Sequence, residues 1–381
     1  MGYPIYMDYA ATTPVDRRVG RTMAKYLDFE GVFGNPASRT HVYGWQAEEA
    51  VERARVQVAK VINADPREIV WTSGATESDN LAIKGSAAQS SKKHIVTSKI
   101  EHKAVLDTCY FLQDQGFTVT FLEPNASGCC DPQQVRDAIN EDTFLVSLMH
   151  VNNELGAIND VFEIGEVCRE ARVLFHVDAA QSYGKLKLDV RACNIDMLSI
   201  SAHKIYGPKG IGVLFVSKDS LVLPQSQIHG GGHEFGMRSG TLATHQIVGI
   251  GEAAELMDLE GIQESKNYAY FREVLFSGLN QIPEIHVNGD LDSSIPSIVN
   301  VSFAGVDGET LMSALDDVAL SSGSACNSEL VEPSYVLKGI GLSDELADSA
   351  LRFSFGRYTE ESDVRMVGQR VAQVVGALRS P

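Results

Sequence analysis

The pattern of apolar and polar positions predicts alternating helices and strands over the first two thirds of the chain. Beyond position 46, apolar residues recur every three or four positions, which predicts a helix with one buried stripe. These residues are Ala47, Ala50, Val51, Ala54, Val58, Val61 and Ile62. Short runs rich in β-branched or large apolar residues predict strands at 69–72, 94–97, 117–122, 143–149, 173–177, 197–200 and 212–216. Helical periodicity separates many of these runs, as at 101–113, 131–139 and 162–171.

The predicted strands are apolar on both faces and are linked by helices. This arrangement is typical of a mostly parallel sheet covered on both sides, so we expect an α/β fold with a seven-stranded sheet. After about residue 255 the alternation lapses, and helix-like segments at 252–258 and 266–281 lead into new short strands and helices. We therefore expect a large domain over 15–255 and a smaller α+β domain formed by 1–14 and 256–381, joined through a long helix.

Composition narrows the classes of partner. The chain carries 50 acidic and 32 basic side chains, and a net charge of −18 disfavours direct binding to nucleic acid. No stretch approaches the about 20 consecutive apolar residues of a membrane span, and the first thirty residues lack a secretory pattern. We therefore expect a cytoplasmic protein without a membrane partner. The six cysteines include no C-x-x-C pair, so their spacing predicts no metal site.

The first candidate for chemistry is Lys204, which lies in a polar stretch (201–210) between a predicted strand and a glycine-rich turn. Ligands of open α/β sheets collect outside the carboxyl ends of the strands. An amine partly shielded from water there loses proton affinity and becomes a usable nucleophile toward an aldehyde. Taken alone, the residue fits a surface loop better, and its surroundings decide the interpretation.

A second polar segment, Thr72–Ser78, follows a strand and opens a helix. Exposed backbone amides at a helix N-terminus suit a phosphate, glycine permits close approach, and Thr76 can donate a hydroxyl. As a single motif it is also compatible with a plain helix cap. The chain contains neither a Walker sequence nor a glycine-rich dinucleotide fingerprint after a strand, so no nucleotide loop competes with this interpretation.

A third strand end carries Asp178, with Gln181 three residues later. The carboxylate could be a helix cap, but facing a pyridine ring it would keep the ring nitrogen protonated. Three strand ends thus offer a phosphate-binding site, a carboxylate that can pair with a ring nitrogen and an amine that can react with an aldehyde. Together they predict pyridoxal 5'-phosphate as the cofactor.

Several ordered motifs carry a family resemblance. They lie at 8–14, 34–38, 72–78, 101–103, 150–154, 176–181, 201–210 and 321–328. They resemble the cysteine desulfurases, and within that family the housekeeping iron–sulfur-cluster type. The resemblance implies a fold-type I, class V aminotransferase-like enzyme that forms a homodimer with composite active sites. The assignment of residues 1–14 to the smaller domain also rests on this analogy.

The resemblance assigns roles around the cofactor ring. It makes Lys204 the Schiff-base lysine, Asp178 the partner of the pyridine nitrogen and Gln181 a donor to the ring hydroxyl. His102 would stack on the ring, and Asn153 would support a ring substituent. His102 could also move the thiol proton of the substrate, and the sequence leaves both roles open.

It also assigns the phosphate and substrate contacts. Ala75, Thr76, Ser201 and His203 would hold the phosphate, and Thr241 would reach the phosphate of the neighbouring subunit. Two further residues, Asn152 and Arg352, would clamp the substrate carboxylate, for which a guanidinium fork is suited. Without the resemblance, a salt bridge in the smaller domain would be the preferred explanation of Arg352.

The last candidate is Cys326, in a run of small and polar residues at 321–328. Buried cysteines usually have apolar neighbours, so this thiol is expected to be presented to solvent. The resemblance implies that it takes sulfur from L-cysteine as a persulfide, releases L-alanine and passes the sulfur to an iron–sulfur scaffold protein and other acceptors.

Other functions remain open at this point. A selenocysteine lyase or another class V enzyme would share the lysine, the aspartate and the phosphate-binding site, although Cys326 argues against an aminotransferase. A cysteine–histidine hydrolase using Cys326 would act without a bound cofactor. A sulfur-relay docking protein without turnover would not need Lys204.

Overall fold

The computed structural model describes residues 3–322 and 333–380, so Cys326 lies outside the described residues. The strands are β1 (Ile5–Tyr6), β2 (Ile69–Thr72), β3 (His94–Ser98), β4 (Thr118–Leu122), β5 (Thr143–Met149), β6 (Leu174–Asp178), β7 (Met197–Ser201), β8 (Gly212–Val216), β9 (Ile285–Val287), β10 (Ile298–Phe303), β11 (Val318–Ala319), β12 (Ser321–Ser322) and β13 (Ala350–Ser354). The helices are α1 (Arg17–Ala24), α2 (Val42–Val61), α3 (Ala75–Ala87), α4 (Lys103–Asp114), α5 (Pro132–Ala138), α6 (Val161–Ala171), α7 (Thr244–Leu279), α8 (Gly308–Ala314), α9 (Tyr335–Gly339), α10 (Asp344–Asp348) and α11 (Glu361–Leu378).

The predicted α/β sheet is confirmed, with seven strands in the order β2-β8-β7-β6-β5-β3-β4. Only β8 runs antiparallel to its neighbours β2 and β7. Each predicted strand agrees with the observed one to within one residue at either end. The agreement follows from burial, because six of the seven strands are buried along their whole length. The parallel strands β5, β6 and β7 bring their carboxyl ends to one edge.

A second sheet of four antiparallel strands has the order β12-β13-β10-β9. It packs with α11 and the end of α7 around a separate apolar core that includes Phe303, Phe353 and Leu275. Met7 belongs to this core, and Ile5 of β1 pairs with Val318 of β11 in a parallel bridge. The N-terminal segment therefore packs on the C-terminal part of the chain. The domain limits at 14/15 and 255/256 remain predictions.

The long helix α7 connects the two cores. It contributes Ile247 and Ile250 to the core beside the central sheet and Leu275 and Leu279 to the second core. The long helix predicted at this junction is confirmed, and it unites the two helix-like segments in one helix of 36 residues. Gly261 does not break it but allows close packing, since a Cβ at that position would lie 2.6 Å from the carbonyl oxygen of Gly184. Among the described residues no helix is both long and apolar enough to cross a bilayer.

Candidate active site

A cleft of about 690 Å³ opens at the carboxyl ends of β5, β6 and β7, beside the N-terminus of α3. Residues of the N-terminal segment and of the second sheet close its other side. The structure brings ten of the predicted site residues to its walls, namely Ala75, Thr76, His102, Asn153, Asp178, Gln181, Ser201, His203, Lys204 and Arg352. Residues that are distant in sequence thus surround one space.

Lys204 lies in a single 3₁₀ turn, Ala202–Lys204, that directly follows β7. Its Nζ donates to the carbonyl oxygens of Ala10 (2.6 Å) and Ala11 (2.8 Å). The neighbouring His203 ring contacts the Thr12 hydroxyl at 3.1 Å through Nδ1. The N-terminal segment therefore sets the position of the Lys204 amine, a relationship that the sequence did not reveal.

Three buried carboxyl groups lie beneath the cleft. Asp178 is 7% exposed and accepts a hydrogen bond from the Ala180 amide at 2.8 Å. Burial raises the pKa of Asp178, while the charges of His102 and Lys204 lower it. Asp79 of α3 and Glu101 are fully buried, and burial together with the nearby Asp178 raises the pKa of both well above the usual range.

These pKa shifts distinguish the three groups. Oδ1 of Asp79 lies 3.6 Å from His176 Nε2, but burial lowers the pKa of His176 to about 3, so this ring is neutral and supplies no compensating charge. Burial and the nearby Asp178 therefore favour the protonated form of Asp79 and Glu101 by raising the pKa of both. Asp178 lines the cleft and has cationic neighbours, which makes it the carboxylate that can face a protonated nitrogen of a ligand.

The N-terminus of α3 offers donors to the same space. Gly74 caps it without any side-chain hydrogen bond to the first-turn amides, whereas Asp131 and Asp160 cap α5 and α6 with their carboxylates. Gly212 of β8 lets the turn approach the sheet, since a Cβ there would lie 2.5 Å from Gly74 Cα. Free amides at a helix N-terminus favour an anion such as a phosphate.

The chemical groups that line the cleft thus fit the parts of pyridoxal phosphate. The uncapped amides of α3 can bind a phosphate, Asp178 can pair with a pyridine nitrogen, and the Lys204 amine can react with an aldehyde. Each of the three groups lines the same cleft.

His102 caps α4, where its Nδ1 accepts a hydrogen bond from the Ala104 amide at 3.1 Å. Because Nδ1 accepts, a neutral ring carries its proton on Nε2. The side chain also lines the cleft. This arrangement leaves Nε2–H as the ring group that can donate a hydrogen bond to a bound ligand.

Arg352 of β13 forms the opposite wall. Its Nη2 donates to Asp8 at 2.7 Å and its Nη1 to the carbonyl oxygen of Asn153 at 2.9 Å. The Nε atom is buried without a hydrogen-bond partner in the described part of the chain. Nη1 and Nη2 each carry a second hydrogen, so the guanidinium keeps donors that a carboxylate ligand could use.

Glu154, also in the cleft wall, accepts a hydrogen bond from the Ser334 hydroxyl at 2.5 Å. Burial raises the pKa of Glu154 to about 7. Sequence reasoning missed Glu154, Asp8 and Asp79. The first two lie inside the motifs that carried the resemblance, but a motif does not show which of its side chains point inward.

Two predicted residues do not line the cleft of their own chain. Asn152 is 1% exposed, donates to the Ile100 carbonyl oxygen and accepts from the amides of Glu154 and Leu155. Its carboxamide holds a turn, so its position does not support the expected contact with a substrate carboxylate. Thr241 is exposed on the surface.

Comparisons with known proteins agree with this geometry. The sequence profile of the aminotransferase class-V family matches residues 5–367. The chain is 56% identical over all 381 residues to proteins described as cysteine desulfurase IscS from Colwellia psychrerythraea and Pseudomonas aeruginosa, and it covers 94% of each.

Solved structures show the same relationship. One described as a NifS-like protein superposes with a TM-score of 0.91 at 35% identity, covering 98% of this chain and 100% of that one. Another, SspA in complex with cysteine, gives a TM-score of 0.84 at 42% identity, covering 93% and 100%. The chain therefore belongs to the aminotransferase class-V family, whose members depend on pyridoxal phosphate, and within it to the cysteine desulfurases.

Proposed function

We propose that the chain converts L-cysteine to L-alanine and retains the sulfur as a persulfide on Cys326, for iron–sulfur cluster assembly and other thio-modifications. The observation that carries this proposal is the meeting of Lys204, Asp178 and the uncapped N-terminus of α3 in one cleft, opposite Arg352. A lysine, a carboxylate and a phosphate site in this arrangement favour pyridoxal phosphate chemistry, and the arginine favours a substrate that carries a carboxylate.

The cofactor contacts follow from this arrangement. Ser201, His203 and Thr76, with the backbone amides of Ala75 and Thr76, would hold the phosphate. Asp178 would pair with the ring nitrogen, and Gln181 and Asn153 would support the ring substituents. When bound, pyridoxal phosphate supplies an aldehyde for an amine and a ring that stabilises the electrons left by a broken C–H bond.

The residues of the chain then act on the substrate. Arg352 binds the carboxylate of L-cysteine, and the Lys204 amine takes the α-proton. The ring of His102 would stack on the cofactor, and its Nε2–H can donate a hydrogen bond to the substrate.

Cys326 completes the reaction. Its thiolate attacks the substrate sulfur, the C–S bond breaks, an S–S bond forms, and the carbon is protonated. L-Cysteine and a protein thiol thus give L-alanine and a protein persulfide, so the atoms and electrons balance without an external oxidant.

The remaining expectations concern assembly and partners. Thr241 is exposed and does not line the cleft of its own chain, which fits a role in the phosphate site of a second subunit in a homodimer. An iron–sulfur scaffold protein in the cytoplasm would be one acceptor of the persulfide sulfur.

A single-turnover experiment tests the proposal. The protein is loaded with pyridoxal phosphate and mixed with L-cysteine, and L-alanine is measured together with the sulfur bound to the peptide that contains Cys326. We expect one persulfide for each alanine in the first turnover. Absence of alanine would reject the activity, and pyruvate, ammonia and free sulfide without a persulfide would indicate direct β-elimination in place of attack by Cys326.

A further inference from the structure

Lys185 lies in the turn region after β6, beside a residue of the proposed cofactor site. Its Nζ donates to Oε1 of Gln181 at 3.2 Å. Gln181 is 4% exposed, and its Nε2 donates to the Ala10 carbonyl oxygen at 2.8 Å. Among the residues that the structure describes, no carboxylate lies within 4.0 Å of the Lys185 amine. An ion pair therefore does not explain a lysine here.

The surroundings make this amine costly to bury. Burial and the repulsion of Lys204 lower the pKa of Lys185 to about 7, and Glu264 opposes the shift. Glu264 is already engaged by Arg357 Nε at 2.6 Å and by the Tyr268 hydroxyl at 2.9 Å. An apolar side chain would fill the same space without the desolvation of an amine, so the amine is better explained by its contact with Gln181.

The contact with Gln181 has a directional consequence. The two ends of a carboxamide differ, since the oxygen accepts and the nitrogen donates, and their orientation is set by their partners. In its protonated form the Lys185 amine only donates, so the ammonium form selects the oxygen of Gln181. The NH₂ group is then directed to the other side, towards Ala10 and the Lys204 amine, which share the Ala10 carbonyl oxygen.

We propose that Lys185 is a positioning residue for Gln181: by holding Oε1, it directs Nε2 into the cleft as the donor to the ring hydroxyl oxygen of pyridoxal phosphate. This inference rests on the proposed function, because it requires that cofactor in the cleft. If the carboxamide of Gln181 were rotated by half a turn, its oxygen lone pairs would instead face the hydroxyl oxygen of the cofactor ring. Lys185 acts through Gln181 and does not itself touch the cofactor.

Two measurements on the cofactor-loaded protein test this role, namely the dissociation constant of pyridoxal phosphate and the pH midpoint of its visible absorption change. Lys185→Met should weaken cofactor binding about three- to tenfold, the effect of one misdirected hydrogen bond, and move the midpoint. Lys185→Arg keeps donors and should resemble the wild type. Added to Gln181→Met, Lys185→Met should change neither quantity further, because the carboxamide through which it acts is absent.

The outcomes separate this inference from the proposed function. A folded Lys185→Met protein with wild-type affinity and midpoint would overturn it, as would an equal effect of Lys185→Met with and without Gln181. If circular dichroism shows that Lys185→Met is unfolded, Lys185→Gln replaces it with the same expected result, since an amide does not select the oxygen of Gln181. A wild-type protein that binds no pyridoxal phosphate, or forms no alanine, would instead refute the proposed function.

Discussion

Arg352 and Asp8 form an ion pair of 2.7 Å between the second sheet and the N-terminal segment, at the wall of the cleft. Their side chains are only 8% and 17% exposed, so water screens the pair weakly. The same guanidinium donates to the carbonyl oxygen of Asn153. Arg352 therefore ties together three segments of the chain and is held in place before a substrate carboxylate arrives.

Arg352→Lys tests the importance of the guanidinium fork. A lysine can neither pair with two oxygens in one plane nor span Asp8 and Asn153, so we expect kcat/KM for L-cysteine to fall by about 100-fold, mainly through KM. Cofactor content should stay unchanged. Arg365→Lys is a matched control, because Arg365 is half exposed and, among the described residues, its ion pair is with Glu361 on the same helix. A normal KM in Arg352→Lys would exclude the carboxylate clamp.

Glu154→Gln should change how stability depends on pH. The pKa of Glu154 is raised from 4.5 to about 7, so the folded state keeps a proton that the unfolded state releases. Stability of the wild type is therefore lost as pH rises from 4.5 to 7. At pH 8 the variant should gain up to about 3 kcal/mol in free energy of unfolding, and near pH 4 the gain should disappear.

Urea unfolding of the cofactor-free chain at both pH values measures this difference. Glu123→Gln serves as the control, since Glu123 is 62% exposed and should change stability by less than about 0.5 kcal/mol. A destabilised Glu154→Gln protein at pH 8 would mean that the ionised carboxylate beside Arg352 is the favoured form.

The strands of the central sheet could be predicted because burial on both faces leaves a continuous apolar run, as in β5 and β6. A long helix was expected at the domain junction, but apolar periodicity alone did not join the two segments that α7 unites. The run around Gly261 is glycine-containing and polar, and only the packing of Gly261 on Gly184 shows why the helix continues. The local pattern of apolar residues indicates which positions are buried. It does not indicate where two backbone segments that are distant in sequence approach each other.

The same distinction holds in the cleft. Lys204 and Asp178 follow strands, so their place at the edge of the sheet could be expected from the sequence. The inward position of Asn152 could not, because it depends on a turn in which its carboxamide holds two backbone amides. Asp79 lies in the polar run Glu77–Asn80, which is typical of a solvent-exposed helix face, yet it is fully buried.

Cys326→Ser separates the two nucleophiles. We expect normal cofactor binding and an early change in the absorption spectrum with L-cysteine, because Lys204 and Arg352 are intact, but no alanine or persulfide. A serine hydroxyl stays protonated near neutral pH, whereas a thiol with a pKa of about 8.5 supplies some thiolate. Stopped-flow absorbance and alanine assays without added thiols measure both steps. Near-normal alanine release would exclude attack by Cys326.

Thr241 is the residue through which composite active sites can be tested. Two tagged subunits, one with Lys204→Ala and one with Thr241→Ala, are co-expressed and the mixed dimer is purified. In this dimer only the Thr241→Ala subunit keeps the lysine that borohydride can trap on the cofactor. If Thr241 serves the partner's site, that competent site receives an intact Thr241 from the Lys204→Ala subunit. We then expect the affinity of the trapped site for pyridoxal phosphate to equal that of the wild type.

The alternative gives an opposite and measurable result. If Thr241 acts within its own chain, or only on the surface, the competent site of the mixed dimer has the affinity of the Thr241→Ala homodimer. That affinity should be about five- to tenfold weaker than wild type if one hydrogen bond to the phosphate is lost. The reference for the comparison is a mixed dimer of Lys204→Ala and wild-type subunits, which contains one competent site in either arrangement. Equal affinities in the two mixed dimers, together with a weakened Thr241→Ala homodimer, require that Thr241 crosses the interface, because only exchange between subunits can restore a contact that the homodimer lacks.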